Sequence, residues 1–293
     1  MPHISNVTQR ALRLFLLFLC FGLIVGYHHS VPAEDSVSAV QWRMRADMTL
    51  LDFGYKEFDD AGRLLDREDG TLPGVALNLA RAEGNWTLSG RFTWHAGDVL
   101  YDGQTNTGVP VRSRTDENIL DSSLLIERRM RVLQDSIPLA LYGGIGYRYW
   151  ERDIRPTRTA AGQAVDGLSE IYRWRYVFLG GRTVLYDFGA SRWQLDLRVF
   201  RPYRPTIEVD QQGRNDTVIL DLGEHTGWRV SFPWEYRTGE RTRLVLEPYA
   251  EGWDLGRSPT ETLTRNGVPV GTVYELRSVT RNVGLNIGVQ RFF

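Results

Sequence analysis

WQLDLRV (residues 193–199) sets Trp193, Leu195, Leu197 and Val199 on alternate positions, with Gln194, Asp196 and Arg198 between them. A period of two is the signature of a β-strand, because successive side chains point to opposite faces. One face of this strand is apolar and the other charged, so it borders two different media.

The same alternation recurs along the chain. Trp228, Val230, Phe232, Trp234 and Tyr236 alternate with Arg229, Ser231 and Glu235, and Trp86, Leu88, Phe92 and Trp94 with Thr87, Ser89, Arg91, Thr93 and His95. Leu139, Leu141, Ile145, Tyr147 and Tyr149 face away from Tyr142, Gly144, Gly146 and Arg148. Tyr172, Trp174, Tyr176 and Phe178 read as a further apolar face against Arg173 and Arg175. Shorter cases are Leu51/Phe53/Tyr55, Val75/Leu77/Leu79, Leu124/Ile126 and Leu244/Leu246, and the chain closes on RNVGLNIGVQRFF (281–293). Together these make ten strands.

Three features turn alternation into a membrane barrel. The apolar stretches run about 9 to 11 residues, the length a tilted strand needs to cross a bilayer. Aromatics such as Trp86, Trp94, Tyr147, Tyr149, Trp228 and Tyr236 collect at strand ends, where membrane barrels carry interfacial girdles. Connections alternate between short turns (82–85, 133–138, 187–191, 238–240) and long polar segments (59–70, 103–117, 155–170, 205–216, 256–271). The expectation is an all-β, transmembrane, antiparallel up-and-down β-barrel of about ten strands (8–12), with short periplasmic turns and long extracellular loops.

Residues 1–33 read as an export signal: Arg10 and Arg13 precede an apolar run from Leu14 to Val25, and Val31 and Ala33 suit a cleavage site. Cys20 lies in that run, so cleavage after Ala33 removes the single cysteine. Residues 34–46 are then expected as a short periplasmic segment and 47–293 as one barrel domain. Lys+Arg number 35 against 36 Asp+Glu, which gives no bulk charge for a nucleic-acid partner. Neither a metal nor a cofactor site is expected from the residue spacing.

The face opposite the apolar one carries Arg91, His95, Glu127, Arg129, Arg148, Arg173, Arg175, Asp196, Arg198, Arg229, Glu235, Arg243, Glu247, Glu251, Arg277 and Arg281 by strand parity. In a barrel of roughly ten strands such side chains fill the interior, whereas wide aqueous channels need some 16 strands. Arg suits an ion-pair lattice because its planar fork makes two hydrogen bonds to one carboxylate.

Catalytic candidates gather at two strand ends. His225 follows Glu224, and a carboxylate can orient a histidine that activates water. Asp98 and Asp102 stand four residues apart at the outer end of another strand. A hydrolytic site there would need His225 and at least two of Asp98, Asp102, Asp221 and Glu224 to converge at the mouth.

GGIGYRYWERDI (143–154) and YRWRYVFLGG (172–181), with ten strands, five long outer connections and an aromatic C-terminus, resemble the omptins, the outer-membrane proteases. The resemblance implies a ten-stranded barrel. Omptins carry Asp-x-Asp in the second outer loop and Asp-x-His in the fourth. Asp98 and Asp102 depart from the first spacing, and Gly223-Glu224-His225 has glycine at the aspartate position, so only His225 carries over.

The leading expectation is therefore a structural or surface-contact barrel with a charge-filled lumen. The alternatives are an outer-membrane hydrolase, either omptin-like or acting on lipopolysaccharide, and a narrow channel. Expected partners are outer-membrane lipid and lipopolysaccharide. A final strand ending in Phe293 also resembles the signal read by the barrel assembly machinery.

Overall fold

In the computed structural model of the protein, residues 40–105, 107–132, 137–211 and 213–293 are described. The expected signal segment lies outside them. Ten antiparallel staves form a closed ring: β1 (Gln41–Phe58), β2 (Leu64–Glu83), β3 (Trp86–Gln104), β4 (Pro110–Val132), β5 (Ile137–Ile154), β6 (Leu168–Phe188), β7 (Ser191–Asp210), an interrupted β8, β9 (Thr242–Gly256) and β10 (Arg277–Phe292). The β8 stave is pieced from Val218–Asp221, Gly223–Glu224, Gly227–Ser231 and Trp234–Arg237. One of its breaks falls at Pro233, which has no N–H to give the ladder.

The seam joins the two ends of the barrel. β1 pairs with β10 from Arg43↔Phe292 to Phe58↔Arg277, and the Phe293 N–H donates to the Trp42 carbonyl at 2.9 Å. Among the described residues this pairing closes the ring, so neither terminal strand is left as an edge in lipid, where an unpaired backbone group would cost several kcal/mol. β1 begins at Gln41, so residues 41–46 of the expected periplasmic segment are strand. Trp42, Met44 and Met48 lie exposed on its outer face while Arg45 and Asp47 are buried inside.

An outward apolar band girdles the lower half. Met48, Leu77, Leu88, Ile126, Ile145, Leu179, Leu197, Leu244 and Ile287 are exposed within it. The staves of 15 to 23 residues are longer than the roughly 10 residues a crossing needs. They run on above the band as a strand-built dome. Much of what the sequence suggests as loop is strand there: only 59–63 lie between β1 and β2, and 105–109 between β3 and β4.

That extension reverses the facial readings on three strands, β1, β6 and β10. Leu51, Phe53 and Tyr55 point inward and are 0–2 % exposed, as are Tyr172 and Trp174, with Tyr176 and Phe178 also buried. Arg173 and Arg175 therefore face outward, as do Arg277 and Arg281, which pair with Asp254 at 3.5 and 2.7 Å. The physical reason is that a dome has a packed core of its own. Above the lipid band the inner face turns apolar and the outer face polar, as in a soluble barrel.

Candidate functional site: a buried charge cluster above the membrane band

The sequence-based candidates are not brought together. Asp98 and Asp102 share the outward parity of Leu100, on the outer wall of β3. Asp98 is ion-paired with Arg114, and Asp102 with Arg67 at 3.0 Å and Arg112 at 3.8 Å. His225 is exposed in a break of β8. Its neighbour Glu224 accepts from the Arg204 backbone N–H at 3.0 Å and lies 3.6 Å from the Arg201 guanidinium. In the ring order β3 and β8 stand five staves apart, on opposite walls.

The structure instead gathers charge around Arg152, which no residue-level motif singles out. Strand parity carries Arg148, Trp150 and Arg152 inward along β5. Arg152 is fully buried. Its Nη1 donates to Glu170 Oε2 at 2.5 Å, to Tyr55 Oη at 3.1 Å and to Tyr172 Oη at 3.2 Å. Glu68 lies 3.1 Å from Nη2, Glu57 3.4 Å from Nη1 and Glu117 3.8 Å from Nε. The guanidinium sits 4.0 Å over the Tyr55 ring, which fixes its plane.

A second tier completes the network. Thr115 Oγ1 donates to Glu68 at 2.5 Å, Trp150 Nε1 to Glu117 at 2.5 Å, and the Tyr172 hydroxyl to Glu275 at 3.0 Å. One cation thus faces four carboxylates directly, with Glu275 behind them. In register Arg152 stands opposite Glu117 on one side and Glu170 on the other, and Glu117 opposite Gly97. That level is above the lipid band, because the outward neighbours there are Asp98, Asp116, Glu151 and Asp153.

Burial dominates the protonation of this cluster. It pushes Glu170 up to about 7 even though the Arg152 charge pulls the other way. Burial and the neighbouring Glu68 carry Glu117 well above the usual carboxylate range, and burial with Glu57 does the same for Glu275. Near neutral pH the cluster therefore holds protons, and it titrates as one unit.

Around Arg152 lies an aromatic seal. Trp150 stacks on Tyr172 with centroids 4.6 Å apart and meets Tyr55, Phe53 and Trp253 edge-on at 5.4, 5.8 and 6.4 Å. Trp253 reaches Trp174 at 6.2 Å, so the rings span the interior from wall to wall. Leu51, Leu72, Val99, Ile119, Ile207 and Leu220 fill the gaps.

Beneath the seal the lumen holds the expected ion-pair lattice. Glu247 is 2.7, 3.4 and 3.9 Å from Arg45, Arg229 and Arg91, and Glu251 is 3.0 Å from Arg229. Asp121 pairs with Arg148 at 2.9 Å, and Asp196 with Arg182 at 2.8 Å. His95 is buried inward, as its parity predicts. Glycines make room for the rings: a Cβ at Gly146 would strike the Tyr176 ring, and one at Gly284 the Tyr249 ring.

No protein-family model matches the sequence, and neither does any curated protein. Among solved structures the chain is similar to the outer membrane protease OmpT from Escherichia coli, with a TM-score of 0.57 at 10% identity over 89% of this chain and 99% of that one. The translocator domain of the autotransporter NalP from Neisseria meningitidis gives 0.39 at 12% identity, over 97% of this chain and 96% of that one. At such identity the first likeness shows the fold, a ten-stranded barrel of the outer-membrane type.

Proposed function

We propose that the protein is an integral barrel of the bacterial outer membrane whose lumen is closed, and whose dome serves envelope structure and surface contact rather than catalysis. The observation that carries this reading is the seal of Trp150, Tyr172, Trp174 and Trp253 across the interior, directly above an ion-paired lumen. Buried rings in contact support closure between the two sides, and each contributes about 2–3 kcal/mol of burial.

The outer wall suits lipid headgroups. Arg173, Arg175 and Arg201 project just above Val177 and Val199, at the height where guanidinium groups meet headgroup phosphates such as those of lipopolysaccharide. Residues 1–33 act as the export signal, and Phe293, at the seam, as the recognition end for barrel assembly.

The rival hydrolase reading needs His225 and Glu224 to work without Asp98 and Asp102, which face outward on the far wall. Refolded protein is expected to leave peptides and lipid A uncleaved, as is a His225→Ala variant. Cleavage by the wild type that His225→Ala abolishes would overturn the non-enzymatic reading.

A further inference from the structure

Below the seal the lumen widens into a chamber of about 130 Å³, by the measure in which one water needs roughly 10–15 Å³. Its lining includes seven arginines, at 43, 45, 91, 148, 182, 198 and 229, against six carboxylates. Asp47, also buried beside Arg45, brings the total to parity, so the decisive question is where each charge is spent.

Most of the arginines have a carboxylate within ion-pair distance, but two do not. Among the described residues no carboxylate lies within ion-pair distance of Arg198 or Arg43. Asp196, two residues from Arg198 on the same face, is committed to Arg182 at 2.8 Å and to the Tyr142 hydroxyl at 2.5 Å. Glu235 at the lower end is held by Arg243 at 2.6 Å and by the Gln194 amide at 3.0 Å.

Unpartnered donors face the same space. Among the described residues Arg198 Nε has no hydrogen-bond partner, and its guanidinium lies 4.5 Å over the Phe178 ring. Arg148, nine-tenths buried, gives Nε to Asp121 at 2.9 Å and rests 4.2 Å over Trp253, while its Nη1 has no partner. Tyr176 ties the two together: its hydroxyl donates to Asp121 at 2.8 Å, and its ring packs on Phe178 at 5.9 Å. His95 Nε2, also buried and unpartnered, lines the chamber.

The chamber is polarised along its length. Arg43 stands near the short-turn end, opposite Phe292 in register, and Glu235 is shared with a smaller cleft at the 187–192 turn. Arg198 and Arg148 stand at the blind end, under the aromatic seal. An unpaired guanidinium in a low-dielectric interior is costly until an anion reaches it.

We infer that this chamber is a binding site for a small inorganic anion, of phosphate size or less, which enters from the short-turn side past Arg43 and rests against Arg198 and Arg148. The guanidinium groups of Arg43, Arg148 and Arg198 disfavour cations, and the seal blocks exit outward. The site goes beyond the closed-barrel reading, which stands whether or not an anion binds.

The test is a thermal-unfolding series on refolded barrel, with inorganic phosphate replacing gluconate at constant ionic strength. A ligand that binds only the folded state raises the midpoint as its concentration rises. The wild type is expected to show that rise. Arg198→Gln should weaken the apparent affinity at least tenfold, and Arg112→Gln, on the exposed outer wall, should leave it unchanged. No rise in the wild type, or an undiminished one in Arg198→Gln, would overturn the inference. If Arg198→Gln does not fold, Arg43→Gln is read in the same way. Wild-type crystals grown in bromide give a second measurement, in which an anomalous peak beside Arg198 supports the site and its absence rejects it.

Discussion

Arg152 and Glu170 face each other across β5 and β6, joined by a 2.5 Å hydrogen bond in a position that solvent does not reach. Their pairing fixes the height of the dome core, because Tyr55, Glu68, Glu117 and Tyr172 all orient toward the same guanidinium.

That relationship predicts a pH dependence with a definite sign. Glu170 is raised from an ordinary value near 4.5 to about 7, so between those values the folded state holds a proton that the unfolded chain has released. Stability therefore falls as pH rises through that window, by on the order of 3 kcal/mol from this group, and levels off above it. Glu117 and Glu275 act in the same direction. Urea midpoints measured from pH 4.5 to 8 should fall, and Glu170→Gln should flatten the curve. A wild-type profile that rises across this window would contradict the assignment.

Removing the cation should cost more than removing any one carboxylate. Arg152→Met leaves four glutamates facing one another without a counter-charge, and breaking a buried ionic set in this way costs about 3–5 kcal/mol. Adding Glu57→Gln and Glu68→Gln should restore part of that loss, since fewer carboxylates are then left without a partner. A triple variant no more stable than Arg152→Met would argue against charge as the cause.

The lipid band gives a depth test. Leu197 and Leu100 are similarly exposed on the outer wall, at 48% and 61%, but Leu100 stands above the band, opposite Asp69 and Arg114 in register. Leu197→Arg should destabilise the barrel in vesicles by about 2–4 kcal/mol, and Leu100→Arg by about 0–1 kcal/mol. Equal costs would place the band elsewhere.

How far the sequence reveals this molecule depends on the height along each strand. Within the lipid band the alternation of Trp193, Leu195, Leu197 and Val199, or of Val283, Leu285, Ile287 and Val289, reports the outer face directly, because lipid is the largest apolar surface there. In the dome the rule inverts. Leu51, Phe53, Tyr55 and Tyr172 are inward, so the same apolar parity that marks lipid contact lower down marks core higher up. The inversion is visible in Lys56, Arg173 and Arg175, whose charges take the outer face.

The Arg152 cluster was illegible for a related reason. Glu68, Glu117 and Glu170 fall in polar stretches that look like loops, and their inward direction becomes readable only once β2, β4 and β6 are known to continue through them. Asp98 and Asp102 mislead in the opposite way, since four-residue spacing puts them on one face without saying which.

Single-channel recording in planar bilayers reports whether the lumen is closed. Wild-type barrel is expected to give no conductance steps, whereas Trp150→Ala combined with Trp253→Ala, which removes both central rings of the seal, should produce them. Steps from the wild type, or silence from a folded double variant, would contradict the account.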